Sequence, residues 1–237
     1  MTDSKCEKLL EIKNLKAWYT KDKEILKEYT LELNRNEVVG LIGLNGAGKS
    51  TFLKVLSGLL ENYETDEFLY MGKSIKPRDM KFKMSRYTVF AEDESFQYFT
   101  FNEYISYVFE AYKKELPDIK ELVTGFNFEE FTDKLLKDLS TGNKKKAFLI
   151  TAFALKPELL LLDEPVNGLD FQSTEYLYKL IGGYKKYGTL LFSSHILESI
   201  TLTSDRVLVL EKGKITRIFE NGQIDATEIR EALRYDD

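Results

Sequence analysis

Apolar residues recur along this chain in two periods. Leu10-Glu11-Ile12 and Thr30-Leu31-Glu32-Leu33 alternate apolar with polar, as half-buried antiparallel strands do. Val38-Val39-Gly40-Leu41-Ile42 has no polar side at all, the pattern of a central parallel strand covered on both faces. Leu159 to Leu162 and Thr189-Leu190-Leu191-Phe192 repeat that form. Helical spacing fills the stretches Ser50 to Leu60, Lys144 to Leu155 and Phe171 to Tyr187. Strands alternating with helices predict an α/β core around a parallel sheet, preceded by an antiparallel β layer. Phe101 to Leu155 lacks strong strand runs, which predicts a mainly helical insertion. Its aromatics Phe101, Tyr104, Tyr107, Phe109 and Tyr112 recur partly at helical spacing and are expected to pack in a core.

Composition narrows the function classes. The 237 residues carry 34 Lys and Arg against 39 Asp and Glu, a net charge of −5, so the surface has no bulk attraction for nucleic acid or anionic lipid. Cys6 is the only cysteine and His195 the only histidine, which excludes disulfide frameworks and multi-Cys or multi-His metal sites. Apolar runs such as Ala147 to Leu155 fall far short of the ~20 residues that span a bilayer. The first fifteen residues are charged throughout, without an apolar signal core. These features predict a cytosolic chain with no linker or repeat.

Directly after the Val38–Ile42 run stands Gly43-Leu44-Asn45-Gly46-Ala47-Gly48-Lys49-Ser50-Thr51. It satisfies G-x-x-x-x-G-K-[ST], the phosphate-binding P-loop or Walker A pattern, with a strand before it and a helix after. Glycines let backbone amides wrap phosphates closely, and the helix N-terminus adds its positive dipole end. Lys49 is expected at the β- and γ-phosphates, the Ser50 hydroxyl on Mg²⁺, and the Thr51 hydroxyl near the α-phosphate. Leu159-Leu160-Leu161-Leu162-Asp163-Glu164 then offers a buried strand ending in two carboxylates. Asp163 fits the acid that holds the Mg²⁺ shell; Glu164, pointing the other way, fits the group that orients or deprotonates attacking water.

Further segments carry a family resemblance. Leu139-Ser140-Thr141-Gly142-Asn143-Lys144 lies about twenty residues ahead of the acidic strand and resembles the LSGGQ signature of ABC ATPases, with Thr141 and Asn143 as departures. Pro165-Val166-Asn167-Gly168-Leu169-Asp170 resembles the D-loop, and Ser193-Ser194-His195 resembles the switch-histidine segment. The likeness runs from about Leu10 to Gly213, so the chain resembles the nucleotide-binding subunit of an ABC transporter.

The resemblance implies roles. An aromatic upstream of the P-loop stacks on adenine, which falls on Tyr19, with Trp18 the neighbouring competitor. His195 would contact the γ-phosphate and help hold Glu164 and the water. Ser140 and the amides at Gly142 would face ATP bound by a second ATPase subunit, identical or different, with Asp170 in the same composite interface. Lys144, Lys145 and Lys146 are expected as a solvated first turn of the following helix. Between Tyr87 and Ile105 the family carries a metal-touching glutamine that couples to the permease; the position falls on Glu92, or on Ala91 if the loop is one residue longer.

The resulting expectation is one ABC ATPase domain, with an α/β core at 1–94 and 156–237 and a helical signature lobe at about 95–155. It binds ATP and Mg²⁺, hydrolyses ATP, and partners a transmembrane permease on the inner face of the cell membrane. The altered signature and the acidic coupling loop resemble exporters. The rival is a soluble ABC ATPase acting as clamp or scaffold in DNA repair, translation or iron–sulfur assembly; a single cassette, an acidic balance and no heptad insertion between Lys49 and Ser140 speak against it.

Overall fold

The computed structural model describes residues 7–21, 23–220 and 224–233; Cys6 lies outside them. In chain order the strands are β1 (Lys8–Thr20), β2 (Lys23–Asn34), β3 (Val38–Ile42), β4 (Tyr63–Glu64), β5 (Glu67–Tyr70), β6 (Lys73–Ser74), β7 (Arg86–Val89), β8 (Leu159–Asp163), β9 (Thr189–Ser194), β10 (Arg206–Glu211) and β11 (Lys214–Glu220). The helices are α1 (Lys49–Leu56), α2 (Met80–Ser85), α3 (Phe101–Ala111), α4 (Lys120–Gly125), α5 (Thr141–Leu155), α6 (Phe171–Gly182), α7 (Leu197–Thr203) and α8 (Ala226–Ala232).

The strands form two sheets. One has the order β2-β1-β5-β6, with β4 also on β1, and its pairs are antiparallel. The other has the order β11-β10-β3-β9-β8-β7; its neighbours from β10 to β7 run parallel, and β11 closes the end as an antiparallel partner of β10. This is the α/β fold expected from the alternation of strand and helix patterns.

The fully apolar strands keep period two inside the core. Val39, Leu41, Leu159, Leu161, Leu191 and Leu208 face a cluster shared with the antiparallel sheet and the α1 residues Phe52, Leu53, Val55 and Leu56. Val38, Ile42, Leu160, Leu162, Leu190 and Phe192 face the opposite way, onto α3, α5, α6, α7 and α8. Helices on one face and α1 with a second sheet on the other leave the central strands no solvent side, so both faces must be apolar.

Several expectations shift. α1 ends at Leu56 rather than Leu60, because Gly58 takes φ 73, a left-handed turn that stops a helix. α6 ends at Gly182, and a short 3₁₀ turn at Tyr184–Lys186 completes the connection. Among the aromatics of the insertion, Phe101, Tyr104 and Phe109 are buried, but Tyr107 is 49% exposed, in tilted and edge-on contact with Phe96 and Phe99. The lysine run also departs from expectation: Lys145 and Lys146 are each only 5% exposed. α5 begins at Thr141, three residues early, so both lysines lie past its first turn in the stretch from Lys145 to Leu155 that is buried throughout, where each finds an oxygen partner.

Candidate active site

Three neighbouring parallel strands deliver the candidate residues to one edge. β3 and β9 pair Ile42 with Ser194, and β8 and β9 pair Asp163 with Ser193, so the three C-terminal ends lie level. Open α/β sheets bind ligands at that end. The loop Gly43 to Gly48 leaves β3 and enters α1 at Lys49, giving the strand–loop–helix order that cradles phosphate.

The buried Lys49 ammonium donates to the carbonyls of Gly43 at 2.7 Å and Leu44 at 3.4 Å, and it pairs with Glu164 Oε1 at 3.3 Å. Glu164 also receives His195, whose Nδ1 lies 2.8 Å and backbone amide 3.3 Å from Oε2. An ionised carboxylate only accepts, so Nδ1 carries the proton. Asp163 accepts from Ser193 Oγ at 2.6 Å, and Glu164's amide donates to the same oxygen at 3.0 Å. Lys49, the adjacent pair Asp163 and Glu164, and His195, from three segments distant in sequence, thus converge.

Glu164 is not part of β8. Sequence alternation predicts that it points away from Asp163; the actual cause is a turn, with Glu164 at φ 47 in the left-handed region. Ser50 and Asp163 line one cleft with Ala91 and Glu92. A hydroxyl and carboxylates beside a phosphate loop are hard oxygen donors, the set that suits Mg²⁺ when phosphates complete its shell. Ala91 and Glu92 border it equally, so both alignments of the coupling loop remain on the cleft wall. Tyr19 is 49% exposed at the end of β1; its hydroxyl lies 3.5 Å from Thr51 Oγ1 and its ring 5.7 Å from the Lys54 ammonium. Trp18 is half-buried.

The signature segment sits apart. Ser140 is exposed and caps α5, accepting from the Asn143 amide at 3.2 Å. A Cβ on Gly142 would stand 2.3 Å from the Gly168 carbonyl, so only glycine lets these two loops touch. Asp170 caps α6 through the Ser173 amide at 2.9 Å and pairs with Lys146 Nζ at 2.6 Å. Burial pushes the Asp170 carboxyl up, but Lys146 and the Ser173 amide and hydroxyl outweigh it and hold it well below the usual range. Among the described residues, no hydrogen bond or ion pair joins Ser140, Gly142 or Asp170 to the phosphate loop.

The family model described as ABC transporter matches residues 26–167. A protein called AlbC in Bacillus subtilis, described as an ABC transporter ATP-binding protein, is 31% identical over 91% of this chain and 93% of its own length. The phosphate import ATP-binding protein PstB of Mycoplasma genitalium is 30% identical, covering 92% of this chain and 73% of that one. A solved ATP-binding subunit of an ABC transporter superposes with a TM-score of 0.80 at 28% identity, over 97% of this chain and 95% of its own. The chain belongs to the ABC transporter ATP-binding family. A second model, for an AAA domain, matches only residues 135–200, within the same cassette.

As an ABC ATPase the chain binds and hydrolyses ATP. Sequence reasoning missed three residues of this cassette. Ser193 bridges Asp163 to the Glu164 amide; its trace in the sequence is a hydroxyl where a buried apolar strand would carry another aliphatic. Lys145 donates to the Glu164 carbonyl at 3.1 Å, and Lys146 holds Asp170. Two lysines inside the unbroken helical pattern before Ala147 carried a signal, since their neighbours three and four residues on are apolar.

Proposed function

We propose that this chain is the motor subunit of a membrane transporter, acting on ATP with Mg²⁺ and as one half of a two-cassette sandwich. Ser50 and Asp163 hold the metal, with Glu92 beside it, and the metal offsets charge on the phosphates. Lys49 and the amides of Gly43 to Ser50 bind the β- and γ-phosphates, Thr51 the α-phosphate, and Tyr19 stacks on adenine. Glu164 takes a proton from the attacking water, and His195 orients Glu164 toward the γ-phosphate. The observation that carries the sandwich is the exposed signature turn: Ser140 and Gly142 have an N-terminal helix end to offer and no partner in their own phosphate loop, so they serve a second cassette's nucleotide, with Asp170 beside them.

No helix among the described residues is long and apolar enough to cross a membrane. In this reading the transport path belongs to a permease, and the cassette rides on the permease's cytoplasmic face. Phe96, Tyr98 and Tyr107, exposed beside the Glu92 loop, offer that partner an aromatic surface. Export is the finer reading, carried by the altered signature and by Glu92; the likeness to PstB makes import its competitor. Detergent co-purification of the tagged chain tests the proposal. A polytopic membrane protein in stoichiometric amount supports it, and uptake into inside-out vesicles assigns export. A purely soluble complex favours the clamp or scaffold reading.

A further inference from the structure

Glu164 carries its side chain from a backbone conformation that residues with a Cβ rarely adopt, φ 47. Such a turn persists only where its surroundings hold it. The amide end is held by Ser193, through its carbonyl at 3.2 Å and its hydroxyl at 3.0 Å. The carbonyl end accepts from the Asn167 amide at 3.3 Å and from the Lys145 ammonium at 3.1 Å. Lys145 is therefore the one side chain that reaches across from the signature helix to this turn among the described residues.

Its placement is costly. Lys145 is buried, which strips its ammonium of water. Burial pulls its ammonium below the usual lysine value, against the carboxylates of Asp163, Glu164 and Glu92, which pull it up. A neutral or exposed residue would avoid that cost; besides the nearby carboxylates, the lysine gains a hydrogen bond to the Glu164 carbonyl.

We propose that Lys145 is a positioning residue for ATP hydrolysis, whose N–H donated to the Glu164 carbonyl holds the left-handed turn that aims the Glu164 carboxylate at His195. It rests on the reading of Glu164 as the group that activates water. The signature helix and the hydrolytic carboxylate of the same chain are thereby joined by one hydrogen bond.

The test compares Lys145→Met, Lys145→Asn, Lys145→Gln and Glu164→Gln in the full chain. Steady-state hydrolysis gives kcat and KM, equilibrium binding of a fluorescent ATP analogue gives affinity, and thermal unfolding reports the folded fraction. Lys145→Met should lower kcat on the order of 10²-fold, the scale of an ångström-level misplacement, with KM and affinity unchanged. Lys145→Asn, polar but too short for the carbonyl, should be as slow, and it replaces the methionine variant if that one fails to fold. Lys145→Gln, with a donor one bond shorter than the lysine's, should recover most of the rate. Wild-type kcat in the Met or Asn variant overturns the proposal, as does a glutamine variant as slow as asparagine, or a loss confined to KM or affinity. Glu164→Gln hydrolysing at the wild-type rate refutes the reading of Glu164 instead; a slow Glu164→Gln beside a normal Lys145→Asn refutes only the role of Lys145.

Discussion

Lys49 meets two kinds of oxygen at once, loop carbonyls and the Glu164 carboxylate, and phosphate is a third of the same type. Replacing it with alanine removes a charge-assisted bond, so ATP affinity should fall about 10- to 100-fold, measured by equilibrium binding. The two carboxylates should separate. Asp163→Asn should weaken binding only when Mg²⁺ is present, whereas Glu164→Gln should bind ATP normally and hydrolyse it ~10²- to 10⁴-fold more slowly. Equal binding losses in both would show that the division between metal shell and water is wrong. At this scale the phosphate loop was legible, because its chemistry is backbone chemistry and consecutive residues encode it. Ser193 and Lys145 were not, because each acts on a residue distant in sequence, and a hydroxyl or an ammonium does not announce its partner.

Elements add a different constraint. α5 and α6 begin beside each other, and Lys146 on α5 pairs with Asp170, the N-cap of α6, at 2.6 Å. Asp170→Asn keeps a good N-cap for α6 but leaves the buried Lys146 without its anion. The loss should be about 1 kcal/mol at pH 7, at the low end for a charged hydrogen bond because half of Asp170 remains in water. Its sign with pH follows from the depressed carboxyl: the stabilisation is complete above the ordinary carboxylate value of about 3.9 and fades as pH falls toward the folded value. Denaturant titrations of both proteins should therefore show a constant gap from pH 7 to about pH 5 that narrows below ~3.9. A gap independent of pH down to 3 would mean that the ion pair contributes nothing. Periodicity marked β1, β2, β3, β8, β9, α1, α5 and α6, but not the ends of α1 and α6: an apolar residue past a glycine still fits a helical period.

The whole molecule offers half of each proposed reaction chamber. Glu164→Gln with ATP should accumulate as a dimer in light scattering, and adding Ser140→Arg should return it to monomer, since a long cation at the exposed cap blocks the approach of another cassette's phosphates. ATP affinity of the double variant should match that of the Glu164→Gln monomer, because the phosphate loop is untouched; a large loss would place the signature in its own site. The order of the sheet was not legible at all, since periodicity marks a strand as central without naming its neighbours. That order has a consequence in time. β3 is among the first strands synthesised, yet both its neighbours, β9 and β10, come late, beginning at Thr189 and Arg206. At roughly 5–20 residues per second of translation, the strand that bears the phosphate loop waits many seconds with both edges bare and both faces apolar. The nucleotide pocket is thus among the last parts of the nascent chain to close, and a ribosome that stalls before residue 189 releases a sticky fragment rather than a weak ATP binder.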